Sequence, residues 1–206
     1  MTREEILKIA KPILFNTEMV RAILDDRKGC TRRVVKGYIP EDAIWGYTVF
    51  TPKGYISCRG TFADGYGEKF FKLPCKKSDV LYVRETWNWY NGKNGEKLYI
   101  YRADYLEENS KRGYWHPSIH MPKEAARIFL KVKDVRVERL HDIGMDGIRK
   151  EGLQSMAVHV GDMSIALEEW KLLWNSTINK DDIEQYGWDA NHWVWVIEFD
   201  RVEVNR

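Results

Sequence analysis

The chain has 206 residues, with 33 Lys and Arg against 31 Asp and Glu, and a formal net charge of +2. This balance excludes adhesion to nucleic acid through bulk charge, so any anion site must be local. The cysteines Cys30, Cys58 and Cys75 are odd in number and far apart, which favours neither a disulfide framework nor a thiolate zinc site. Because no stretch resembles a signal peptide or a membrane span, we expect a cytoplasmic protein without a membrane partner.

The N-terminal residues predict two short helices. The capping-box pattern T-x-x-E predicts the first, which should reach about residue 10. Asn16 or Thr17 can cap the second, and Gly29 can take the left-handed position after its end. Arg27 and Lys28 would then lie in the last turn, where the helix dipole favours cations.

The following residues show patterns that are typical of strands. Residues 31–35 are rich in β-branched side chains, and short strands with irregular loops are expected in residues 47–73. Residues 80–86 predict a strand, and the NGKNG turn predicts a hairpin that continues into LYIYRA. Two-residue alternation predicts a long central strand in ARIFLKVKDVRVERL and a last strand in WVWVIEFDRV.

Two helices are expected between these last two strands. One covers residues 142–150, and the other starts from an Asp162 cap. The apolar side chains of the second helix should form one buried stripe, which consists of Ile165, Ala166, Trp170, Leu173 and Trp174. Strands outnumber helices and no β-α-β alternation occurs, so the sequence predicts an α+β fold with a mostly antiparallel, barrel-like sheet.

The composition is rich in aromatic residues, with 9 Trp and 11 Tyr. Such side chains suit the walls of clefts where planar ligands stack, although core packing is the commoner use. Trp87, Trp115 and His116 are candidates for lining a substrate site. His116 and His120 are four residues apart, but neighbouring prolines disfavour a regular helix and no third ligand is implied, so no metal site is predicted.

Several segments resemble the ASCH-domain family, particularly the larger forms encoded by phages and prophages. The most specific are R-K-x-x-T-R-R at residues 27–33, W-x-P-S-I-H-M-P at 115–122 and E-G-L at 151–153; SDVLYVRETW and WVWVIEF add to them. The resemblance implies one PUA-like (ASCH) domain over residues 1–206, a β-barrel with flanking helices and insertions between about residues 37 and 125. For many members it implies binding of RNA or nucleotides.

Some small bacterial members of this family are amidohydrolases that remove the acetyl group from N4-acetylcytidine without a cofactor. Their catalytic lysine, threonine and glutamate fall on Lys28, Thr31 and Glu151 of this chain. The chain departs from their pattern at Gly29, where the small enzymes usually have a threonine. The resemblance therefore implies an amidohydrolase acting on N4-acylated cytidine or a related nucleobase amide, with a nucleoside or nucleotide substrate and RNA as a further candidate partner.

Two mechanisms are compatible with these residues. Thr31 can act as the nucleophile with Lys28 as its base, or Glu151 can activate water while the other two stabilise the oxyanion. Arg32 and Arg33 should point to opposite sides of a strand, so that one of them can bind the base or a phosphate.

Two other functions stay open. A non-catalytic PUA-like module could bind RNA, modified DNA or a nucleotide through the same residues. A phage structural or interaction protein would leave the motif as surface. No obligate protein partner is implied.

Overall fold

The structure is a computed structural model, which describes residues 2–105 and 114–203. Contacts within the chain group the described residues into two compact units. The first unit takes its residues from Met1–Gly29, Ser78–Val132 and Phe199–Arg206, and the second from Cys30–Lys77 and Lys133–Glu198. The single domain expected over residues 1–206 stays a prediction.

The described residues form both helices and strands in mixed order. The helices are α1 Arg3–Ile9, α2 Thr17–Leu24, α3 Met145–Lys150, α4 Met156–Val160, α5 Met163–Ser176 and α6 Ile183–Tyr186. The strands are β1 Lys11–Leu14, β2 Cys30–Val34, β3 Ile44–Gly46, β4 Tyr55–Arg59, β5 Glu68–Lys72, β6 Val80–Arg84, β7 Trp87–Asn91, β8 Lys97–Tyr101, β9 Phe129–Arg139 and β10 Trp193–Val202.

The strands form three sheets. Five strands follow the order β1-β6-β9-β10-β2, three follow the order β3-β4-β5, and β7 pairs with β8 as a hairpin. The β1–β6 pair is parallel, and the pairs β6–β9, β10–β2, β3–β4, β4–β5 and β7–β8 are antiparallel. The α+β class and the predominance of antiparallel pairing are confirmed, but the described strands form no closed barrel.

The first helix of the first unit follows the predicted capping box. Thr2 Oγ1 accepts a hydrogen bond from the backbone N–H of Glu5 at 3.3 Å, and the Glu5 carboxylate accepts from the Thr2 backbone N–H at 2.8 Å. The strand after it was not predicted, because Pro12 lies within it. A proline is tolerated there because β1 is at the edge of its sheet.

The end of α2 differs from the prediction. Asn16 caps its start, as expected, by accepting from the Met19 backbone N–H at 2.8 Å. The left-handed residue after its end is Asp26, with φ 55°, and not Gly29. Asp tolerates this conformation better than most residues, so the helix ends earlier than the glycine suggests. Arg27 and Lys28 therefore lie beyond the helix, and the prediction that they occupy its last turn is wrong.

The second unit packs α5 over its part of the large sheet. Asp162 caps this helix and accepts hydrogen bonds from the backbone N–H groups of the next turn. Its buried side chains are Ala166, Trp170 and Trp174, which share a core with residues of α3, α4 and β10. The predicted stripe is wrong at Ile165, which is 53% exposed. No helix of the described residues is long and apolar enough to cross a membrane.

Candidate functional site

Residues 30–33 of the R-K-x-x-T-R-R motif lie on β2, an edge strand that pairs with β10. Alternation along the strand separates its side chains into two sets. Thr31 and Arg33 share one face, where their register partners on β10 are Ile197 and Trp195. By the same alternation Arg32 lies on the other face.

The guanidinium of Arg32 bridges two carboxylates. Its Nη1 donates to Oε1 of Glu151 at 3.2 Å, and its Nη2 donates to Oε2 of Glu138 at 3.3 Å. The Arg32 and Glu151 side chains are each only 2% exposed. The buried Nε atom of Arg32 has no hydrogen-bond partner among the described residues. Arg32 and Glu151 thus form a buried ion pair within the second unit.

The end of α3 places the Glu151 carboxylate. Glu151 is the residue at which this helix ends, and Gly152 follows it with a left-handed φ of 90°. Gly147, one turn earlier, makes room for the arginine, because a Cβ atom there would lie 3.0 Å from Arg32 Nη2. The close approach of α3 to Arg32 therefore depends on a glycine that the sequence analysis did not single out.

The buried ion pair continues into a partly buried network of charged side chains. Glu138 also accepts from Nε of Arg136 at 2.5 Å, and Arg136 Nη1 donates to Glu198 at 2.7 Å. Burial alone would lower the pKa of Arg136, but its hydrogen bonds to these two carboxylates raise it above the ordinary value. The pKa of Lys150 is likewise raised, first by Asp146 and then by Glu198. Successive ion pairs therefore connect six side chains, whose three positive charges equal their three negative charges. In order, they are Glu151, Arg32, Glu138, Arg136, Glu198 and Lys150.

Arg33 lies on the Thr31 face of the strand and is half-buried. Burial lowers the pKa of its guanidinium, and the negative charge of Glu151 opposes that shift. Glu151 therefore acts electrostatically on both arginines of the motif, although it forms the salt bridge with Arg32.

Lys28 belongs to the first unit and is buried. Its Nζ lies 5.8 Å from the centroid of the Phe15 ring, a distance compatible with a cation–π contact. Its backbone N–H donates to the Ala22 carbonyl at 3.0 Å, as does that of Arg27 at 2.8 Å. The backbone of Lys28 is therefore held by a hydrogen-bonded turn that follows the end of α2.

The described residues bury few polar or charged side chains. Six are buried in the described part of the chain: Lys28, Thr31, Arg32, Ser57, Glu85 and Glu151. Four of these six come from the RKGCTRR and EGL segments. Burying such groups costs free energy unless they are paired, so this concentration is the most unusual feature of the motif.

A second buried ion pair lies outside the motif. The Glu85 carboxylate accepts from Nε and Nη2 of Arg127 at 2.9 and 3.0 Å, in a bidentate arrangement. Burial raises the pKa of Glu85, and its hydrogen bonds from Arg127 oppose that shift. Glu85 is thus a second buried carboxylate held by an arginine, and it is a matched control for Glu151.

The aromatic candidates from the middle of the chain lie in the first unit. Trp87 is buried in a core cluster, with its ring centroid 5.0 Å from that of His116. Trp115 is half-buried and packs edge-on against Tyr105 at 5.5 Å. Arg32, Arg33 and Glu151 lie in the second unit, and the role of Trp87, Trp115 and His116 in lining a substrate site stays a prediction.

A different aromatic group lies in the second unit near the sequence motif. Trp195 is the register partner of Arg33. Trp45 contacts it with ring centroids 6.2 Å apart and contacts Trp193 at 5.7 Å. The buried indole N–H groups of Trp45 and Trp193 have no hydrogen-bond partner among the described residues. The W-V-W-V alternation of the last strand is the signal that could have placed Trp193 and Trp195 on the Thr31 face.

No group of three or more His, Cys, Asp or Glu residues that could hold a metal ion occurs in residues 2–105 and 114–203. Comparison of the chain with protein-family models, with curated proteins and with solved structures finds no match. The ASCH resemblance thus rests on the sequence motifs.

Proposed function

We propose that this protein is an amidohydrolase that cleaves the N4-acyl amide of acylated cytidine, or a related nucleobase amide, without a cofactor. The observation that carries the proposal is the burial of Lys28, Thr31, Arg32 and Glu151. Three of these four side chains are those that the family resemblance assigns to catalysis. An edge strand and a helix end do not by themselves require buried charge.

Burial of these four side chains is unfavourable in free energy unless they are paired. Transferring a polar side chain out of water without compensation costs about 2–7 kcal/mol, and an unpaired charge costs more. A buried ion pair is often no more stable than a packed apolar pair of the same volume. Strongly desolvated titratable groups are therefore more frequent at sites where chemistry needs them.

Glu151 is the proposed general base. Its carboxylate takes a proton from water, and the hydroxide adds to the acyl carbon to give a tetrahedral oxyanion. The C–N bond then breaks, the proton passes to the exocyclic nitrogen, and the products are the free carboxylate and cytidine. Cytidine is a favourable leaving group because its exocyclic nitrogen delocalises into the ring.

Arg32 is a positioning residue in this scheme. Its salt bridge with Glu151 fixes one carboxylate oxygen, while Glu138 holds the other end of the guanidinium. A base that is held in place loses less entropy on reaching the transition state. Replacing Arg32 should therefore affect kcat through Glu151 without contact to the substrate.

Thr31 has two alternative roles, which experiment can separate. As an oxyanion donor it never bonds covalently to the acyl group. As a nucleophile it attacks the acyl carbon, cytidine leaves, and water later hydrolyses the resulting ester. The resemblance assigns Lys28 to the same reaction, as base in the second route or as a charge that stabilises the oxyanion in the first.

The test is the ultraviolet spectrum of N4-acetylcytidine incubated with the purified protein and its variants. We expect conversion to cytidine by the wild type, and loss of at least about a hundredfold in kcat for Thr31→Ala and Glu151→Gln. Glu85→Gln is the matched control, because it also neutralises a buried, arginine-paired carboxylate and should retain kcat once folding is verified by circular dichroism.

The outcomes separate the alternatives. Equal losses in Glu151→Gln and Glu85→Gln would reduce Glu151 to a structural residue. An acyl adduct on Thr31, found by mass spectrometry of acid-quenched reactions, would establish the nucleophile route. No conversion of any acylated nucleoside by the wild type would reject the enzyme and favour a non-catalytic binding module.

A further inference from the structure

The small sheet of the second unit has two different faces. Side chains that share the register of Trp45, Cys58 and Phe71 point inward; Cys58 is fully buried, and the Trp45 and Phe71 ring centroids are 5.1 Å apart. The alternate positions form the outer face, which we define by Ile44 on β3, Tyr55 and Arg59 on β4, and Glu68, Phe70 and Lys72 on β5. Ser57, between Tyr55 and Arg59, is buried and does not contribute to the exposed surface.

Aromatic and cationic side chains are interleaved on this outer face. Phe70 is 39% exposed, and the register pairs Tyr55 with Lys72. Arg59 and Lys72 are exposed, and neither forms an ion pair with another described residue. Glu68 is the only carboxylate of the face so defined, and its oxygen accepts from the hydroxyls of Ser57 and Thr48.

The charge of the whole chain is unevenly distributed around this sheet. Residues 36–77 contain seven Lys and Arg and four Asp and Glu, so their net charge is 7 − 4 = +3. The chain as a whole carries +2, so all other residues together carry 2 − 3 = −1. Two further carboxylates of this segment are also engaged, Asp42 by Thr61 and Asp64 by Lys69. Residues 36–77 thus carry a local excess of positive charge that the composition of the whole chain does not reveal.

Loops at the margins of the same sheet expose further aromatic rings. Tyr47 and Phe50 follow β3, and Tyr66 lies between β4 and β5. All three are largely exposed to solvent. Water-exposed rings at this density are costly for a purely structural element and suit a surface that is covered when a partner binds.

We propose that the outer face of the β3–β4–β5 sheet binds single-stranded nucleic acid, with bases stacked on Phe70 and Tyr55 and phosphates paired with Arg59 and Lys72. Stacking on aromatic rings within a positive surface is how sequence-tolerant single-strand binding is achieved. The inference rests on the proposed function only in one respect: it makes a polynucleotide carrying acylated cytidine a further substrate, whereas turnover of the free nucleoside does not need this face.

A protein partner fits this face less well. The cores of protein interfaces are depleted in lysine and glutamate, whereas here Lys72 lies directly beside an aromatic register partner. Each phosphate contact made by such a cation releases counterions, which gives nucleic-acid binding a salt dependence that apolar protein contacts lack.

The experiment is fluorescence anisotropy of a labelled single-stranded RNA of mixed sequence with the full chain, repeated with DNA of the same sequence. We expect affinity to fall steeply as salt is raised. The Arg59→Ala/Lys72→Ala variant should reduce the slope of log K against log salt by about 1.4, which corresponds to two phosphate contacts on a single strand. Phe70→Ala should weaken binding by about 5- to 150-fold, the range expected for the loss of one stacked base.

The matched control is Lys131→Ala/Lys180→Ala, which removes the same charge from exposed positions outside this face. An equal change in the control and in Arg59→Ala/Lys72→Ala would overturn the assignment, as would wild-type binding that is indifferent to salt. Turnover of free N4-acetylcytidine should be unchanged in all these variants. Binding without turnover would reject only the proposed hydrolase, and turnover without binding would reject only this surface.

Discussion

Nη1 of Arg32 lies 3.2 Å from Oε1 of Glu151 across 119 residues of sequence, and both side chains are almost completely buried. Breaking a buried pair from one side leaves the other charge unpaired, which typically costs about 3–5 kcal/mol. We therefore expect Arg32→Met to lower the free energy of unfolding by about that amount, as measured by urea denaturation.

The double variant Arg32→Met/Glu151→Gln should recover part of this loss, because no isolated charge stays at position 151. The recovery of stability should be incomplete, because Glu138 also loses its hydrogen bond from Arg32. Losses that simply add would mean that the two side chains do not interact energetically.

Gly147 offers a second test of the same contact. A Cβ atom there would lie 2.9 Å from Ile143 Cγ1 and 3.0 Å from Arg32 Nη2. A free arginine could swing away, but this one is held by two carboxylates. Although alanine is the better helix former, we expect Gly147→Ala to be destabilising by about 1 kcal/mol because overpacking outweighs propensity.

The control for this substitution is Gly46→Ala, where an added Cβ atom meets nothing within 4 Å. Both free energies of unfolding come from the same denaturant series. If Gly147→Ala stabilised the protein, the Arg32 guanidinium would be able to move away from the added Cβ atom. The proposal that Arg32 holds the Glu151 carboxylate in place would then be contradicted.

The sequence predicted those helices and strands whose position depends on capping residues and on the alternation of apolar side chains. The Asp162 cap and the alternation of the last strand specify α5 and β10 without reference to distant residues. The end of α2 was misplaced because a glycine was preferred over Asp26, although Asp also adopts the left-handed conformation. The edge strand β1 was missed because proline, here Pro12, is disfavoured in strands in general. Whether a strand lies at the edge of a sheet, where proline is tolerated, cannot be predicted from the local sequence.

The candidate site was predictable only in part. Lys28, Thr31 and Glu151 were identified by the resemblance of their sequence motifs to those of a known family. That resemblance did not predict that their side chains are buried. Glu138 was missed because its bond to Arg32 joins residues 106 positions apart, a separation that no local pattern encodes. Packing between distant elements determines such pairs.

The Cys58 thiol should be inert under ordinary alkylation conditions. Burial, with a smaller contribution from the negative charge of Asp42, raises its pKa to about 11. The reactive thiolate is therefore scarce at pH 8, and the side chain is fully buried. We expect peptide mass spectrometry to find Cys58 unmodified after brief iodoacetamide treatment of the native protein and fully modified in urea. Rapid native labelling at pH 8 would contradict this burial.

His192 should make stability depend on pH between about 5 and 7, near the ordinary histidine pKa. Its Nε2 lies 2.9 Å from the Val35 carbonyl oxygen, to which the neutral ring donates. Burial lowers its pKa, with Arg139 adding to the shift and the bond to Val35 opposing it. The unfolded chain therefore takes up a proton at a higher pH than the folded chain does. The stabilisation is fully present above the unfolded pKa, and it is lost as pH falls toward the lower folded value.

The measurement is the free energy of unfolding at several pH values for the wild type and His192→Gln. The variant keeps a donor for the Val35 carbonyl but cannot titrate, so its stability should fall less steeply from pH 7 to 5. Asp42, Asp64 and Asp162 have pKa values lowered below their ordinary range, so their own losses occur in more acid solution. Burial raises the pKa of Glu85, but Glu85 is present in both proteins, so its contribution cancels in the comparison. Parallel curves for the two proteins would mean that His192 titrates alike in the folded and unfolded chains.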